Sequence, residues 1–600
     1  MPFGDAAAFG CYQTGRPDGI FFVKLMNILG LNFFHANASA ALMVDGKLVA
    51  AAEEERFNRV KFSAGVPLCA IGYCMKQAGL QFKDIDVITY PRATNTRIVN
   101  KDQIHFQDRI YKVTSLYDRY RINLKLINFK EMVADHFGIP VESLVFKLRE
   151  EDHHLSHMLS GFLYSPFDEA LVLSCDAFGD FVSVKAGVGR GNRIEIVRQV
   201  EFPHSIGLFY TMVTQFLGFN GYGDESKVMG LSTYGYPEYT DKLRTIISAD
   251  HGTLRLNLKF FNQESGVGTT WADQTPDITQ LYNENLTRLI GDQRRPEEEI
   301  TGRHQNIAAS VQHLTEEIVF DLIEDLYSAH PITNLVLTGG LAYNSLLNAR
   351  IIDETPIQKI YVPPSPGNSG LALGSALAFL GDQAQRAPMD HAFWGPEYSI
   401  RDIEEALTSA GVASEELSDP IERAVELLIS GRAIGWFQGR MEFGPRSLGS
   451  RCILVNPLAP DPRRIKRRHN LKPLGISILE EHASAYLHSV QHSPFMSFMG
   501  RLKGKHRREF ENVTLNNYCR YQTVGPENPL LRQLLLRFKE KSRLPFLINT
   551  SLNVEGEPVT ESPRQLIADI GRMRLDAAII GEYLVTSREG SGEVSGRDSG

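Results

Sequence analysis

The chain has 600 residues, 43% of them hydrophobic, with 63 Lys and Arg against 71 Asp and Glu and a net charge of -8. That length exceeds what one hydrophobic core sustains, so at least two cores are expected. The acidic balance offers no basic footprint for nucleic acid or an anionic membrane, which leaves small molecules as partners.

Six cysteines, Cys11, Cys69, Cys74, Cys175, Cys452 and Cys519, stand without a CxxC pair. Neither a disulfide framework nor a thiolate zinc site is indicated, and a reducing, cytoplasmic setting fits. Residues 1–25 are rich in Gly, Ala and Pro and read as a dispensable leader. The most apolar run near them, "GIFFVKLMNILGLNFF", is interrupted by Lys24 and Asn27, too soon for a membrane span.

From Met26 the text becomes "MNILGLNFFHANASAALMVDGKLVAAAEEERF". It predicts a strand, a polar loop, a second strand, a turn at Asp45-Gly46 and a third strand ending in Glu53-Glu54-Glu55-Arg56. Further on, "EEDHHLSHM" puts three histidines and three acids into nine residues, 150–158. His153 and His157 are four apart, so on a helix they share a face and can reach one ion, while His154 points elsewhere. The alternative is a solvated helix start, where Asp and Glu favour the positive end. The strand–loop–hairpin plan returns in "ALVLSCDAFGDFVSVKAGVGRGNRIEIVRQV", with a strand over 170–175 that ends in Asp176 and a turn at Gly189–Asn192. Two copies of one plan predict a duplicated α/β core. Asp176, at the end of an apolar strand, stands where α/β sheets place functional carboxylates. Two histidines and one carboxylate suit iron(II) or another borderline divalent ion.

Next, "NLVLTGGLAYNSLLNARI" reads as a buried strand, a Gly339-Gly340 turn and a helix carrying Asn344 and Asn348. Paired glycines before a helix let backbone approach a nucleotide phosphate. "KIYVPPSPGNSGLALGSALAFL" adds a strand, a Pro/Gly loop with Asn368 and a small-residue helix able to pack tightly. The polar stretch 381–399 reads as a linker. Beyond it, "AIGWFQGRMEFGPRSLGSRCILVNP" carries Arg440, Arg446 and Arg451, and "RRIKRRHNLKPLGISIL" adds Lys466, Arg468 and Lys472. Arg520 follows in "CRYQTV", then Asn549, Ser551 and Asn553 in "FLINTSLNVEGEP". Such recurrent basic residues make either a solvated face or, with Ser and Asn beside them, an anion cradle for phosphorylated ligands.

From Met26 to about Ser587 the chain resembles the ATP-dependent O-carbamoyltransferases of natural-product biosynthesis, the tobramycin, cephamycin and nodulation enzymes. The resemblance rests on "HANASAALMVDG", "EEERFNRVKF", "DHHLSHMLSGF", "GYGDESKVMGLSTYG", "TGGLAYNSLLNARI", "PPSPGNSGLALG" and "QGRMEFGPRSLGSR". It implies a duplicated actin-like ATPase (threonylcarbamoyl-transferase-like) domain over 26–385, an α/β YrdC-like domain over 395–587 and a flexible tail over 588–600. It further implies iron held by His153, His157, Asp176 and, where the family has aspartate, Asn368. In the second domain Lys466/Arg468 and Ser551/Asn553 match the Lys-x-Arg and Ser-x-Asn pattern, and Lys472 replaces the family's arginine, keeping the charge but losing the fork.

The implied chemistry has two steps. Carbamoyl phosphate and Mg-ATP give carbamoyladenylate in the C-terminal domain, where Arg440, Arg446, Arg451, Lys466, Arg468, Lys472 and Arg520 offset polyanion charge and Asn549, Ser551 and Asn553 orient oxygens. The adenylate then lies over Gly339, Gly340 and Asn344, and the carbamoyl group passes to a hydroxyl of a small acceptor. His35 orients or deprotonates that hydroxyl, or is a structural loop histidine; Lys61, Glu225 and Lys227 are further pocket residues. Two other readings stay open. One is a tRNA threonylcarbamoyl-type enzyme, which the acidic balance opposes. The other is a non-catalytic ATP-binding switch, which the retained basic cluster opposes. Neither the acceptor nor the oligomeric state leaves a mark in the sequence, and the resemblance is compatible with a homodimer.

Overall fold

The computed structural model describes residues 26–92, 126–262, 269–270, 275–461, 465, 471, 474–506 and 514–586. In the N-terminal half, strands β1 (Asn27–Asn32), β2 (Ser39–Val44), β3 (Lys47–Glu53), β4 (Val87–Tyr90) and β5 (Lys147–Glu150) form a sheet of order β3-β2-β1-β4-β5. β6 (Glu169–Gly179), β7 (Val182–Arg190) and β8 (Arg193–Glu201) form a second sheet with β13 (Asn334–Thr338) and β14 (Lys359–Tyr361), in the order β14-β13-β6-β7-β8. Short hairpins, β9 (Ile247–Asp250) with β10 (Thr253–Leu256) and β11 (Thr269–Thr270) with β12 (Asp277–Ile278), lie between β8 and β13 in the chain.

The two sheets have the same topology. In each, the first strand pairs antiparallel with the second, the second antiparallel with the third, the first parallel with the fourth and the fourth parallel with the fifth. The hairpin turns fall at Asp45-Gly46 and Gly191-Asn192, as the repeated pattern predicts. One difference is that β6 runs on through Asp176 to Gly179, so Asp176 lies within a strand whose pairing with β7 is irregular between Cys175 and Gly179.

Both sheets bury two faces, which is why β1 and the start of β6 read as continuous apolar runs. Between them lie two helices, His153–Phe162 packed on the second sheet and Leu371–Leu380 packed on the first. The small-residue text of the latter has a physical cause: a Cβ on Gly374 would lie 2.0 Å from the Ser156 carbonyl oxygen. Sandwiching the His153 helix this way buries every polar residue it carries, including all three histidines.

The C-terminal half is built on nine strands: β15 (Ser414–Glu416), β16 (Ile434–Phe437), β17 (Arg451–Val455), β18 (Gly475–Leu479), β19 (Phe498–Arg501), β20 (Tyr518–Val524), β21 (Phe546–Ser551), β22 (Ala577–Ile580) and β23 (Tyr583–Thr586). Their order is β15-β23-β22-β16-β17-β21-β18-β20-β19 among the described residues. The stretch between the halves is not a free tether. Ala387 and Met389 donate backbone N–H groups to Leu163 and Tyr164, and the Trp394 carbonyl accepts from Ala51 N. The described cysteines are unbridged, and no helix among the described residues is long and apolar enough to cross a membrane.

Candidate active site

Asp152 begins the histidine helix. Its Oδ1 accepts from Leu155 N at 2.7 Å, and its Oδ2 takes the Lys185 ammonium at 2.6 Å. "EEDHHLSHM" is therefore a capped helix start and also the source of a buried imidazole pair. His153 and His157 turn Nε2 toward one oxygen, Asp176 Oδ2, at 3.5 and 3.3 Å. Two ligands of a tetrahedral ion with bonds near 2.1 Å stand about 3.4 Å apart, so these separations fit a shared cation. The three ligand atoms lie within 4.8 Å of one another. Their protonation fits as well. Burial lowers the His157 pKa despite Asp176. Burial opposes the Asp176 charge, but hydrogen bonds from the two histidines outweigh it and hold the carboxyl well below its usual range. A neutral imidazole and an ionised carboxylate are the forms that metal binding requires.

His154 faces away, with Nδ1 on Ser174 Oγ at 2.9 Å and Nε2 on the Val182 carbonyl at 2.8 Å. Burial, then His153 and His157, push its pKa down to about 3. His35, in the turn after β1, brings its ring to 5.6 Å from that of His153. Burial first, then the Arg92 charge, holds it well below the ordinary histidine value.

Behind Asp176 runs the glycine pair. Gly339 has φ +85°, and a Cβ there would lie 2.1 Å from the Cys175 carbonyl oxygen; one on Gly340 would lie 2.9 Å from Asp176 Oδ1. Gly339 N donates to the Pro366 carbonyl at 2.8 Å, tying this turn to the loop that leads to Asn368, the half-buried first residue of a 3-10 turn. Asn344 is occupied structurally: it caps the helix Ser345–Glu354 and exchanges amide hydrogen bonds with Gln312. Of the further pocket residues, Glu225 accepts from Thr211 Oγ1 at 2.7 Å and Lys227 is paired to Asp224 at 2.8 Å. Lys61 stands over the Phe62 ring, which meets Tyr222 at 5.1 Å.

In the C-terminal half, register assembles the polar set. Arg520, Gly475 and Asn549 are cross-strand partners on β20, β18 and β21, as are Gln522 and Ser477 one pleat further. Paired residues, and residues two apart, project from one face of a sheet. Arg520, Gln522, Ser477, Asn549 and Ser551 therefore share a face. Asn549 Nδ2 donates to Ser477 Oγ at 2.8 Å and to the Ser447 carbonyl at 3.1 Å. Among the described residues Asn549 Oδ1 and Ser447 Oγ are buried with no hydrogen-bond partner, a cost that a ligand would relieve. Ser551 Oγ bonds Asn553 Oδ1 at 2.6 Å.

Two of the expected anion binders are placed elsewhere. Arg451 is fully buried, its guanidinium 3.5 Å above the Phe437 ring and bonded to the carbonyls of Gln438, Gly439 and Pro396. Arg440 is spent on the carbonyls of Val49 and Trp394 and on Tyr73 Oη. Both hold backbone rather than face an anion. Lys466, Arg468 and Lys472 lie outside the described residues.

Arg446 and Arg520 instead reach the N-terminal half. Arg446 lines a small cavity with Tyr343, Pro363, Pro366 and Met496, and Arg520 Nε lies 3.4 Å from Ser345 Oγ. Tyr343, whose hydroxyl burial pushes up to about 12, and Tyr222, raised by burial and then by Asp176 and Glu225, were not singled out from sequence. Each stands in a quoted motif, "TGGLAYNS" or "GYGDESK", but an aromatic between glycines and polar residues carries no pattern of its own.

Comparison with known proteins gives the family. Residues 27–377 match the carbamoyltransferase N-terminus and residues 425–587 the carbamoyltransferase C-terminus. An uncharacterised Synechocystis protein, sll1178, is 32% identical over 94% of this chain and 97% of its own. Nodulation protein NolNO of Sinorhizobium fredii is 33% identical over 94% of this chain and 80% of its own. Among solved structures, HypF of T. kodakarensis aligns with a TM-score of 0.28 at 11% identity, over 59% of this chain and about half (48%) of that one. The ROK hexokinase of Thermus thermophilus aligns at 0.29 and 12%, over 60% and 99%. The chain thus belongs to the carbamoyltransferase family, matched in both its N-terminal and its C-terminal parts.

Proposed function

We propose that this carbamoyltransferase is an ATP-dependent O-carbamoyltransferase with two half-sites. In the C-terminal half, which we read as YrdC-like, water hydrolyses carbamoyl phosphate to carbamate and inorganic phosphate. A carbamate oxygen attacks the α-phosphorus of Mg-ATP, and carbamoyladenylate and pyrophosphate result. Arg446, Arg520, Asn549, Ser551 and the lysine-rich 466–472 segment offset and orient the phosphates. In the N-terminal half, the actin-like core over 26–385, an acceptor hydroxyl attacks the carbamoyl carbon and AMP leaves, while His35, kept neutral by burial and by Arg92, orients the hydroxyl or takes its proton. His153, His157 and Asp176, with Asn368 as a fourth donor, would hold iron(II) or another divalent ion. Such an ion would supply Lewis acidity to the transfer step.

The observation that carries this reading is the meeting of Arg446 and Arg520 with the turn Gly339–Ser345, whose Gly340 abuts Asp176. Anion-binding groups of one half border the nucleotide turn of the other, so a hydrolysable mixed anhydride made in one need not cross bulk water to reach the other. The acceptor is a small natural-product molecule of the kind carbamoylated in antibiotic biosynthesis, not a nucleic acid or a membrane. We place the protein in the cytoplasm, as a homodimer. The test is pyrophosphate release from ATP. It is expected only when carbamoyl phosphate is present; release that needs threonine and bicarbonate, or none at all, overturns the assignment.

A further inference from the structure

The motif "EEERFNR" is absorbed by neither half-site, yet it is a heavily charged and largely buried stretch. Glu53, Glu55 and Arg56 are 2, 7 and 3% exposed. Arg56 pairs with Glu53 at 3.4 Å and with Glu55 at 3.0 Å. Both residues then cross to the C-terminal half and take hold of one residue. Glu53 Oε1 accepts from Gly444 N at 2.8 Å, and Arg56 Nη2 donates to the Gly444 carbonyl at 2.8 Å. From the other side Gly444 is closed in by the Pro364 carbonyl: its φ is +120°, and a Cβ would lie 2.5 Å from that oxygen. Arg446 follows two residues later.

Three residues beyond Arg56, Arg59 grips a second loop. Its Nη1 and Nη2 donate to the carbonyls of Val559 and Pro558, both at 2.8 Å. That loop is continuous with the Ser551–Asn553 pair, because Asn553 Nδ2 donates to the Glu557 carbonyl at 2.6 Å and to that of Val554 at 2.9 Å. One turn of N-terminal chain therefore fastens two loops next to anion-binding side chains of the other half, Arg446 and the Ser551–Asn553 pair. A buried ion pair adds little stability over an apolar contact, so its use here is geometric: charge-assisted bonds fix where two loops stand.

We infer that Glu53, Arg56 and Arg59 are positioning residues for the C-terminal half-site, holding the Arg446 loop and the Ser551–Val559 loop at the spacing that carbamoyl phosphate and ATP require. The inference rests on the two-site reading above. It makes the first chemical step depend on N-terminal residues that touch neither substrate.

The test uses the full-length protein. Arg59→Met, only partly buried, and Arg56→Lys, which keeps the charge but loses the fork, are each expected to raise KM for carbamoyl phosphate or lower kcat of pyrophosphate release roughly 10–100-fold, the scale of a displaced binding group. Glu53→Gln keeps an oxygen for Gly444 N–H and should be milder than Glu53→Ala. A role in stability alone is separated by a double-mutant cycle. Arg56→Lys combined with Arg446→Ala should cost less than the product of the single effects. Hydrogen exchange at the Gly444 amide should quicken in the Glu53 and Arg56 variants. Folded variants with wild-type kinetics, fully independent effects in the cycle, or unchanged exchange each overturn the brace. Should wild-type protein release no pyrophosphate with carbamoyl phosphate, the two-site reading falls, and the exchange measurement still decides whether the segment holds the loops.

Discussion

The histidine cluster and the C-terminal cradle are assembled in opposite ways. His153, His157 and Asp176 come from one helix and the next strand, and burial on both sides of that helix leaves them little freedom. The cradle draws on β18, β20 and β21 and on the loop before β17, so its side chains are far apart in sequence and meet only through sheet register. A site made locally keeps its geometry as long as one helix stands. A site made by register depends on everything that fixes its loops, including residues of the other half.

Separating the two steps tests that contrast most strongly. His153→Ala and His157→Ala should each lose bound metal and at least two orders of magnitude in transfer to acceptor, because removing one ligand opens the coordination sphere. Both should still release pyrophosphate. Ser551→Ala should keep the metal but lose pyrophosphate release, and with it the adenylate that transfer consumes. His154→Gln, outside the cluster, should keep the metal; the readouts are metal content and AMP formation with and without acceptor. Equal loss of pyrophosphate release in His157→Ala would mean that the sites are not separable.

Next in size is the division among the arginines. Arg451→Met takes the donor from the Gly439 carbonyl and one of two donors from those of Gln438 and Pro396, which keep Ser450 Oγ and Met441 N, a loss of about 1–3 kcal/mol. It should lower the urea midpoint and leave KM for carbamoyl phosphate unchanged in the folded fraction. Arg446→Ala should change KM or kcat and shift stability by no more than about 0.5 kcal/mol. An Arg451 variant with normal stability and a raised KM would return that residue to the ligand.

The smallest effect is expected at Asn368. Asn368→Asp adds a charged oxygen with little change in volume and should raise retained metal after dialysis by roughly tenfold, the scale of a single-ligand change. Lower retention would remove Asn368 from the ligand set.

Legibility followed the same divide. The repeated sheet plan could be read because each copy is a local pattern, strand, loop and hairpin with its turn glycine. The histidine pair could be read because four residues make one helical turn. The sharing of one face by Arg520 and Asn549 could not, since pairing across Gly475 depends on register. Arg440 and Arg451 misled for a related reason: in sequence an arginine beside a strand looks the same whether it meets phosphate or a neighbour's carbonyl. The charges of "EEERF" gave no sign that they close an internal seam, since buried and solvated acid runs are written with the same letters.

The apolar core has a consequence for anyone who would cut this protein in two. Phe443, Leu448, Phe495 and Met496 pack in the same cluster as Leu159, Phe162, Ala372 and Leu377. Severing the chain between residues 381 and 399 would leave each fragment with a torn hydrophobic surface and, in one, Arg56 and Glu53 without the Gly444 backbone that they hold. Heating should accordingly melt the intact chain in one cooperative transition, and the fragments should be recovered as a soluble pair only when made together.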